Sequence, residues 1–246
     1  MAEIMPHIKL SEEHAVPYGL LPGDPKRLDR IAACLTDVKE LAFHREFRSL
    51  KGKYRGVPVM AVSTGIGGAS AAIAVEELAR IGVKAMIRIG SCGALQKGIR
   101  LGDLILVNGA VRDDGASSSY VDSIFPAVPD TELLLSCMES ARQLGARTHV
   151  GIARSHDSFY IDGEKEVCAF WAGKGVMGSD METAALFVVG GLRGVKTASI
   201  LNVVVEHEES LEDSINSYTG GESAMMRGEH LEILTALEAF VRLDQG

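Results

Sequence analysis

The sequence predicts a single α/β domain over residues 1–246. Apolar, strand-like runs alternate with segments of helical periodicity along the whole chain. Residues 57–90 read in order as strand, glycine turn, helix and strand, which is a βαβ unit. With 46% of its 246 residues hydrophobic, the chain can fill one large core, and no linker, repeat or low-complexity tract divides it.

Composition narrows the function classes. Charged residues make up 24% of the chain and the net charge is -8, with no Lys/Arg run that would form a basic surface. Nucleic acid is therefore not an expected partner. The longest apolar run, around Ala184–Leu192, is too short and too broken by glycine to span a bilayer, so no membrane partner is expected. Met1–Leu10 lacks an apolar core of signal-peptide length, which points to the cytoplasm. Cys34, Cys92, Cys137 and Cys168 show no CxxC spacing and read as reduced thiols. Neither a metal site nor a disulfide framework is expected.

The elements follow in order. Val16–Leu21 is a short apolar strand ending at Pro22-Gly23-Asp24-Pro25. Asp24 suits a helix N-cap and Pro25 the first helical position. A helix is expected over about 26–35, with Leu28, Ile31, Ala32 and Leu35 on one face. Arg27 falls in its first turn, where a cation opposes the helix dipole. A glycine before a helix start, beside an arginine, is a candidate anion site; a plain capped turn is the alternative. Leu41–Leu50 alternates partly, and is expected to pair with 52–54 and 57–63 as antiparallel strands turning at Arg55-Gly56.

Thr64–Gly68 is a glycine turn that opens a helix over 69–81, and a strand over 84–90 follows. The glycines invite a dinucleotide reading. However, Ser70 occupies the third glycine position, and Arg88 stands where an acidic ribose reader belongs, so no dinucleotide cofactor is expected. A strand over 103–107, continued by 110–112, precedes a long Ser/Asp/Gly/Pro-rich loop over 113–129. A helix over 131–144 and a strand over 148–153 lead to Ser155–Tyr160. Then come a helix or irregular lid (163–173), an apolar helix (183–192), a buried strand (196–205), a polar loop to about 221 and a closing amphipathic helix (222–243). The interesting polar residues collect at the C-terminal ends of strands, where ligands bind in such sheets.

Met86–Ala94 carries the strongest chemical signal. It is expected to be a short buried strand running into a tight, glycine-rich turn. A buried arginine such as Arg88 requires an anionic partner. Gly90 and Gly93 permit close backbone approach, Ser91 adds a hydroxyl, and the turn amides add donors. That set suits an oxyanion such as phosphate; an ion pair with a nearby carboxylate is the alternative.

Four ordered motifs give the chain a family resemblance: Pro22-Gly23-Asp24-Pro25 with Arg27; Ser63-Thr64-Gly65-Ile66-Gly67-Gly68-Ala69-Ser70 with Glu76-Glu77-Leu78; Arg88-Ile89-Gly90-Ser91-Cys92-Gly93; and Asp180-Met181-Glu182. Over nearly its whole length the chain resembles the nucleoside phosphorylase family, which includes uridine phosphorylase and the hexameric bacterial purine nucleoside phosphorylases. His44-Arg45-Glu46-Phe47 and Phe125-Pro126-Ala127-Val128 look closer to uridine phosphorylase. The resemblance implies a central mixed, partly barrel-like β-sheet flanked by helices. It also implies phosphorolysis, in which a nucleoside and inorganic phosphate give a free base and pentose 1-phosphate without a cofactor. Gly23, Arg27, Arg88 and Ser91 would bind phosphate, with Arg45 reaching in from a neighbouring subunit of a homo-oligomer, a dimer or trimer of dimers. Arg27, Arg88 and Glu182 would carry catalysis. Glu182 would grip the ribose hydroxyls, Met181 would pack on the sugar, and His7 would meet the 5′-hydroxyl across the interface. Cys92, Gly93 and Phe159 would line the base pocket.

The base half departs from both branches of that family. Purine members carry an aspartate after the last strand, whereas here the segment reads Ile200-Leu201-Asn202-Val203-Val204-Val205-Glu206. Uridine phosphorylases read uracil with a Gln and an Arg, and Phe159–Glu166 contains neither. Lys165 and His207, with Glu164 and Glu206, are candidate substitutes. Lys165 could stabilise an anionic leaving base and His207 could donate a proton; solvated loop charges are the alternative. The expected function is a uridine-type nucleoside phosphorylase. A purine phosphorylase with a non-standard acid, a nucleosidase and a non-catalytic nucleoside-binding relative are the competing readings.

Overall fold

The computed structural model describes residues 3–207 and 223–245. Its strands are β1 (Tyr18–Pro22), β2 (Thr36–His44), β3 (Phe47–Tyr54), β4 (Val57–Val62), β5 (Ala85–Ala94), β6 (Leu104–Asp113), β7 (Thr148–His156), β8 (Gly178–Asp180) and β9 (Lys196–Val205). Its helices are α1 (Arg27–Ala32), α2 (Gly68–Ile81), α3 (Gly115–Tyr120), α4 (Thr131–Gln143), α5 (Glu164–Ala172), α6 (Thr183–Leu192) and α7 (Ser223–Gln245). The strands form one sheet in the order β2-β3-β4-β1-β5-β8-β7-β6-β9, and β9 also pairs with β5. That last pairing closes β5, β8, β7, β6 and β9 into a five-stranded ring, with β1 to β4 as an open wing on β5. β1 runs parallel to β4 and β5, and β5 parallel to β9, while β2-β3, β3-β4, β5-β8 and β6-β9 are antiparallel. The sheet is therefore mixed and partly barrel-like, as expected.

Helices cover both faces. On one side α2 and α6 bury Val75, Leu78, Leu186 and Val188. On the other, α4 and α7 bury Leu133, Cys137, Ile233, Leu237 and Phe240. Covered on both sides, β9 is apolar nearly throughout, and every residue from Thr197 to Val205 is buried.

Several local expectations are corrected. Residues 90–94 are not a turn. Strand β5 continues to Ala94 because ring closure supplies partners: β9 pairs with it as far as Gly93, and β8 pairs with Gly93 and Ala94. An irregularity between Cys92 and Gly93 takes up the bend. Gly90 serves a close approach instead, since a Cβ there would lie 2.4 Å from Arg88 Nη2. Leu41–Leu50 is not one strand but the end of β2 and the start of β3, joined at Arg45-Glu46 with Arg45 at φ 56°. Helix α1 is shorter than expected. Asp24 Oδ1 accepts from Lys26 N at 2.9 Å, and the helix starts only at Arg27. The 113–129 loop contains α3, capped by Asp114, whose Oδ2 accepts from Ser117 N at 2.6 Å. Strand β7 runs on to His156, so Ser155 and His156 belong to it. Most of the polar loop expected before the closing helix lies outside the described residues.

Candidate active site

The C-terminal ends of β1 and β5 and the start of α1 converge on Arg27. β1 stops at Pro22, and Gly23 O then accepts from Gly65 N at 3.0 Å, fixing the glycine beside the second glycine loop. Arg27 is 4% exposed. Its Nη1 donates to Ile89 O at 2.9 Å and its Nη2 to Ser91 Oγ at 3.1 Å. Two carboxylates of α7 face it: Glu229 Oε2 at 3.2 Å from Nε and Glu232 Oε2 at 3.6 Å from Nη1. Glu232 Oε1 also accepts from Gly90 N at 2.6 Å. It thereby satisfies an amide just beyond Ile89, where the β1–β5 ladder ends.

Arg88 is 5% exposed and bridges two acids. Nε donates to Asp180 Oδ2 at 2.9 Å, and Nη2 lies 2.5 Å from Glu182 Oε2. The two readings of Arg88 thus meet in one residue: it is ion-paired, and it stands close in the chain to Ser91, the hydroxyl that accepts from Arg27. Glu182 also accepts from Gly67 N at 2.6 Å. Burial pushes its carboxyl above the ordinary value, against the opposing pull of Arg88 and the Gly67 amide. Asp180 is the anchor. Its Oδ1 accepts from Ser155 Oγ at 2.6 Å, and its Oδ2 from Thr183 N at 3.0 Å and Thr183 Oγ1 at 2.6 Å, as well as from Arg88. Met181, half-buried, lies between the two acids in sequence.

The other expected residues fall into two groups. His7 is held by Glu77, whose Oε1 lies 2.6 Å from Nδ1. His44 Nδ1 donates to His7 O at 3.0 Å, which ties the N-terminal segment to the β2–β3 hairpin. Arg45 is exposed at that hairpin's turn, between half-buried His44 and Glu46. Neither His7 nor Arg45 bonds to Arg27, Arg88, Ser91 or Glu182 among the described residues. Cys92 is buried beside Gly93, and burial pushes its thiol well above the ordinary value, which disfavours the thiolate. Phe159 and His207 follow the C-terminal ends of β7 and β9 in the chain, and Lys165 is exposed on α5.

Reasoning from sequence missed Asp180 as a hub, together with Glu229 and Glu232. A signal for the last two existed: they sit three apart on the face of α7 that carries Met225, Ile233 and Ala236, where a carboxylate is out of place. Burial pushes Glu232 from 4.5 up to about 8, with Glu229 adding to the rise and Arg27, the Gly90 amide and Arg88 opposing it. An unfolded carboxyl ionises near 4.5, so between that value and about 8 only the folded state holds the proton. The stabilisation is complete below the unfolded value and is lost as pH rises through the folded one. Glu232→Gln keeps an acceptor for Gly90 N but cannot ionise. Relative to the native protein, it is expected to gain on the order of a few kcal/mol between pH 5 and pH 8.5, since each tenfold change in proton affinity is worth about 1.4 kcal/mol. Urea midpoints at the two pH values check this; a parallel pH response would refute it.

Among the described residues, no group of three or more His, Cys, Asp or Glu side chains is placed to hold a metal ion. None of the described helices is long and apolar enough to cross a membrane. Two buried arginines, a hydroxyl and buried acids thus gather at the C-terminal ends of strands of a mixed α/β sheet.

Comparisons with known proteins give the family. A family model described as the phosphorylase superfamily matches residues 17–226, and the chain belongs to that superfamily. It is 38% identical over 240 residues to the uridine phosphorylase of Thermococcus kodakarensis, covering 93% of this chain and 86% of that one. The crystal structure of uridine phosphorylase from Vibrio fischeri ES114 superimposes with a TM-score of 0.92 at 43% identity, covering 98% of both chains. That of purine nucleoside phosphorylase from Toxoplasma gondii, in complex with immucillin-H, superimposes with a TM-score of 0.90 at 30% identity, covering 100% of this chain and 98% of that one.

Proposed function

We propose that this protein is a nucleoside phosphorylase acting on uridine-type nucleosides, working in the cytoplasm as a homo-oligomer with shared sites. The observation that supports the reading is the Arg27 Nη2–Ser91 Oγ hydrogen bond, three residues along β5 from Arg88, whose Nη2 pairs with Glu182. Phosphate held by Gly23, Arg27, Arg88 and Ser91 would lie against the anomeric carbon of a ribose whose hydroxyls bond to Glu182. A phosphate oxygen forms the new bond to that carbon as the carbon–nitrogen bond breaks, and the electron pair leaves on the base. Holding a weak nucleophile in place removes much of the entropic barrier. The Glu182 carboxylate near the sugar favours the positive charge that develops there.

Charge counting supports a shared site. Arg27, Arg30 and Arg88 face the carboxylates of Asp180, Glu182 and Glu229, while Glu232, raised to about 8, keeps its proton at neutral pH. A phosphate dianion added to that set needs a further cation, and Arg45 from a neighbouring subunit would supply it. Glu77 holds His7 Nδ1, which leaves Nε2 for the 5′-hydroxyl of that neighbour's substrate. Incubation with uridine, thymidine, inosine and adenosine, with and without phosphate, tests the reading. Uridine cleavage only when phosphate is present is expected. Cleavage without phosphate would make the protein a nucleosidase, and no cleavage at all would make it a binding protein.

A further inference from the structure

The base end of the site holds polar groups that the fold buries without fully pairing them. Gly93 and Ser179 are register partners between β5 and β8, and Ser179 and Arg154 between β8 and β7. Paired residues on neighbouring strands project from the same face, so the three form one row. Gly93 leaves its place in the row open: a Cβ there would meet only Val205 Cβ, at 3.8 Å. Next to it, Ser179 Oγ is buried without a hydrogen bond. Arg154 is 2% exposed. Its Nε donates to Asp113 Oδ2 at 2.7 Å, its Nη1 reaches Glu164 Oε1 only at 3.5 Å, and its Nη2 bonds to no described residue. Glu164, in the first turn of α5, accepts from Cys168 Sγ at 3.2 Å, while its Oε2 is buried and unpaired. A buried polar atom without a partner costs about 1–3 kcal/mol. Two such atoms, Ser179 Oγ within the row and Glu164 Oε2 on the acid that faces Arg154, mark the place of a missing polar ligand beside the open glycine.

The chemistry of the groups limits that ligand. A guanidinium can only donate, a carboxylate can only accept, and a hydroxyl can do either. A ring N–H beside a carbonyl offers the matching donor and acceptor. We infer that Arg154, Glu164 and Ser179 read the polar edge of the base, with Glu164 accepting from its ring N–H and Arg154 and Ser179 donating to its carbonyl oxygens, so that the substrates are nucleosides of lactam bases. This rests on the nucleoside phosphorylase reading above. It assigns base recognition to a buried arginine on β7 and an acid on α5, in place of the absent Gln and Arg.

The test is phosphorolysis of uridine and of 3-methyluridine, in which N–CH3 replaces the ring N–H. Native protein is expected to prefer uridine by about 100-fold or more in kcat/KM, because an unpaired carboxylate rejects the methylated edge. Glu164→Ala removes the acceptor and makes room for the methyl group. It is expected to narrow that preference at least tenfold while the KM for phosphate stays put. Ser179→Ala and Arg154→Lys are expected to lower uridine kcat/KM by roughly tenfold, the scale of one lost hydrogen bond. The substrate ratio does not depend on how much of a variant folds. A Glu164→Ala ratio within threefold of the native one overturns the inference and leaves the phosphorylase reading standing. If native protein cleaves none of the four nucleosides with phosphate, the reading fails and the inference falls with it.

Discussion

Arg88→Ala is expected to lose roughly three orders of magnitude in kcat, the scale of removing a main transition-state donor, and about 3–5 kcal/mol of stability. Both losses have one cause. Asp180 and Glu182 are buried, and Arg88 is the cation they share. Without it two carboxylates lie close together in a dry site, and neither can ionise cheaply. On the reaction side, the same substitution removes a donor that would hold phosphate against the sugar. Arg88→Lys restores a charge but not the fork that reaches Asp180 through Nε and Glu182 through Nη2. It is expected to recover part of the stability and little of the activity. Urea melts and initial rates over a phosphate series separate the two effects. An unchanged KM for phosphate in the alanine variant would remove Arg88 from the anion site.

Asp180→Ala is likewise expected to cost about 3–5 kcal/mol, because it strands Arg88, Ser155 and Thr183 at once. Asp180 bonds to protein groups rather than to the ligand positions proposed above, so it acts as a positioning residue. Its removal lets Arg88 drift, and a displacement of about 1 Å can cost roughly 100-fold in rate. Asp180→Asn keeps the shape but turns an amide nitrogen toward donors. It is expected to fall between native and alanine in melting, with kcat reduced more than either KM. Equal losses in kcat and in stability-corrected binding would indicate a structural role alone.

The four motifs singled out Arg27, Arg88 and Ser91 because cation, hydroxyl and glycine sit close in sequence around residues 23–27 and 88–91, and the structure brings Arg27 to Ser91. What stayed hidden was non-local. Gly90-Ser91-Cys92-Gly93 has the local chemistry of a turn, and only the pairing of β5 with β9, more than 100 residues later, makes it a strand. The role of Asp180 depends on donors at positions 88, 155 and 183, which no local pattern connects. Arg45 looked like a mid-strand charge because the two-residue turn at Arg45-Glu46 lacks a glycine to announce it. Arg154 falls between the expected strand over 148–153 and Ser155 and carries no local signal, since its acids lie on β6 and α5.

The clasp of α7 on Arg27 sets the order in which this chain can mature. Arg27 is made early, yet Glu229 and Glu232 come only with the final helix; the neighbouring Arg30–Glu229 pair spans 199 positions and the Gly90–Glu232 bond 142. Contacts of such long range are closed late and make folding slow. While the chain is being synthesised, N-terminal segment first, Arg27 exists for most of translation without Glu229 and Glu232. The oldest part of the polypeptide is thus finished by the youngest, and a chain lacking its final helix would contain Arg27, Arg88 and Ser91 yet lack the acids that hold Arg27 and Gly90 in place.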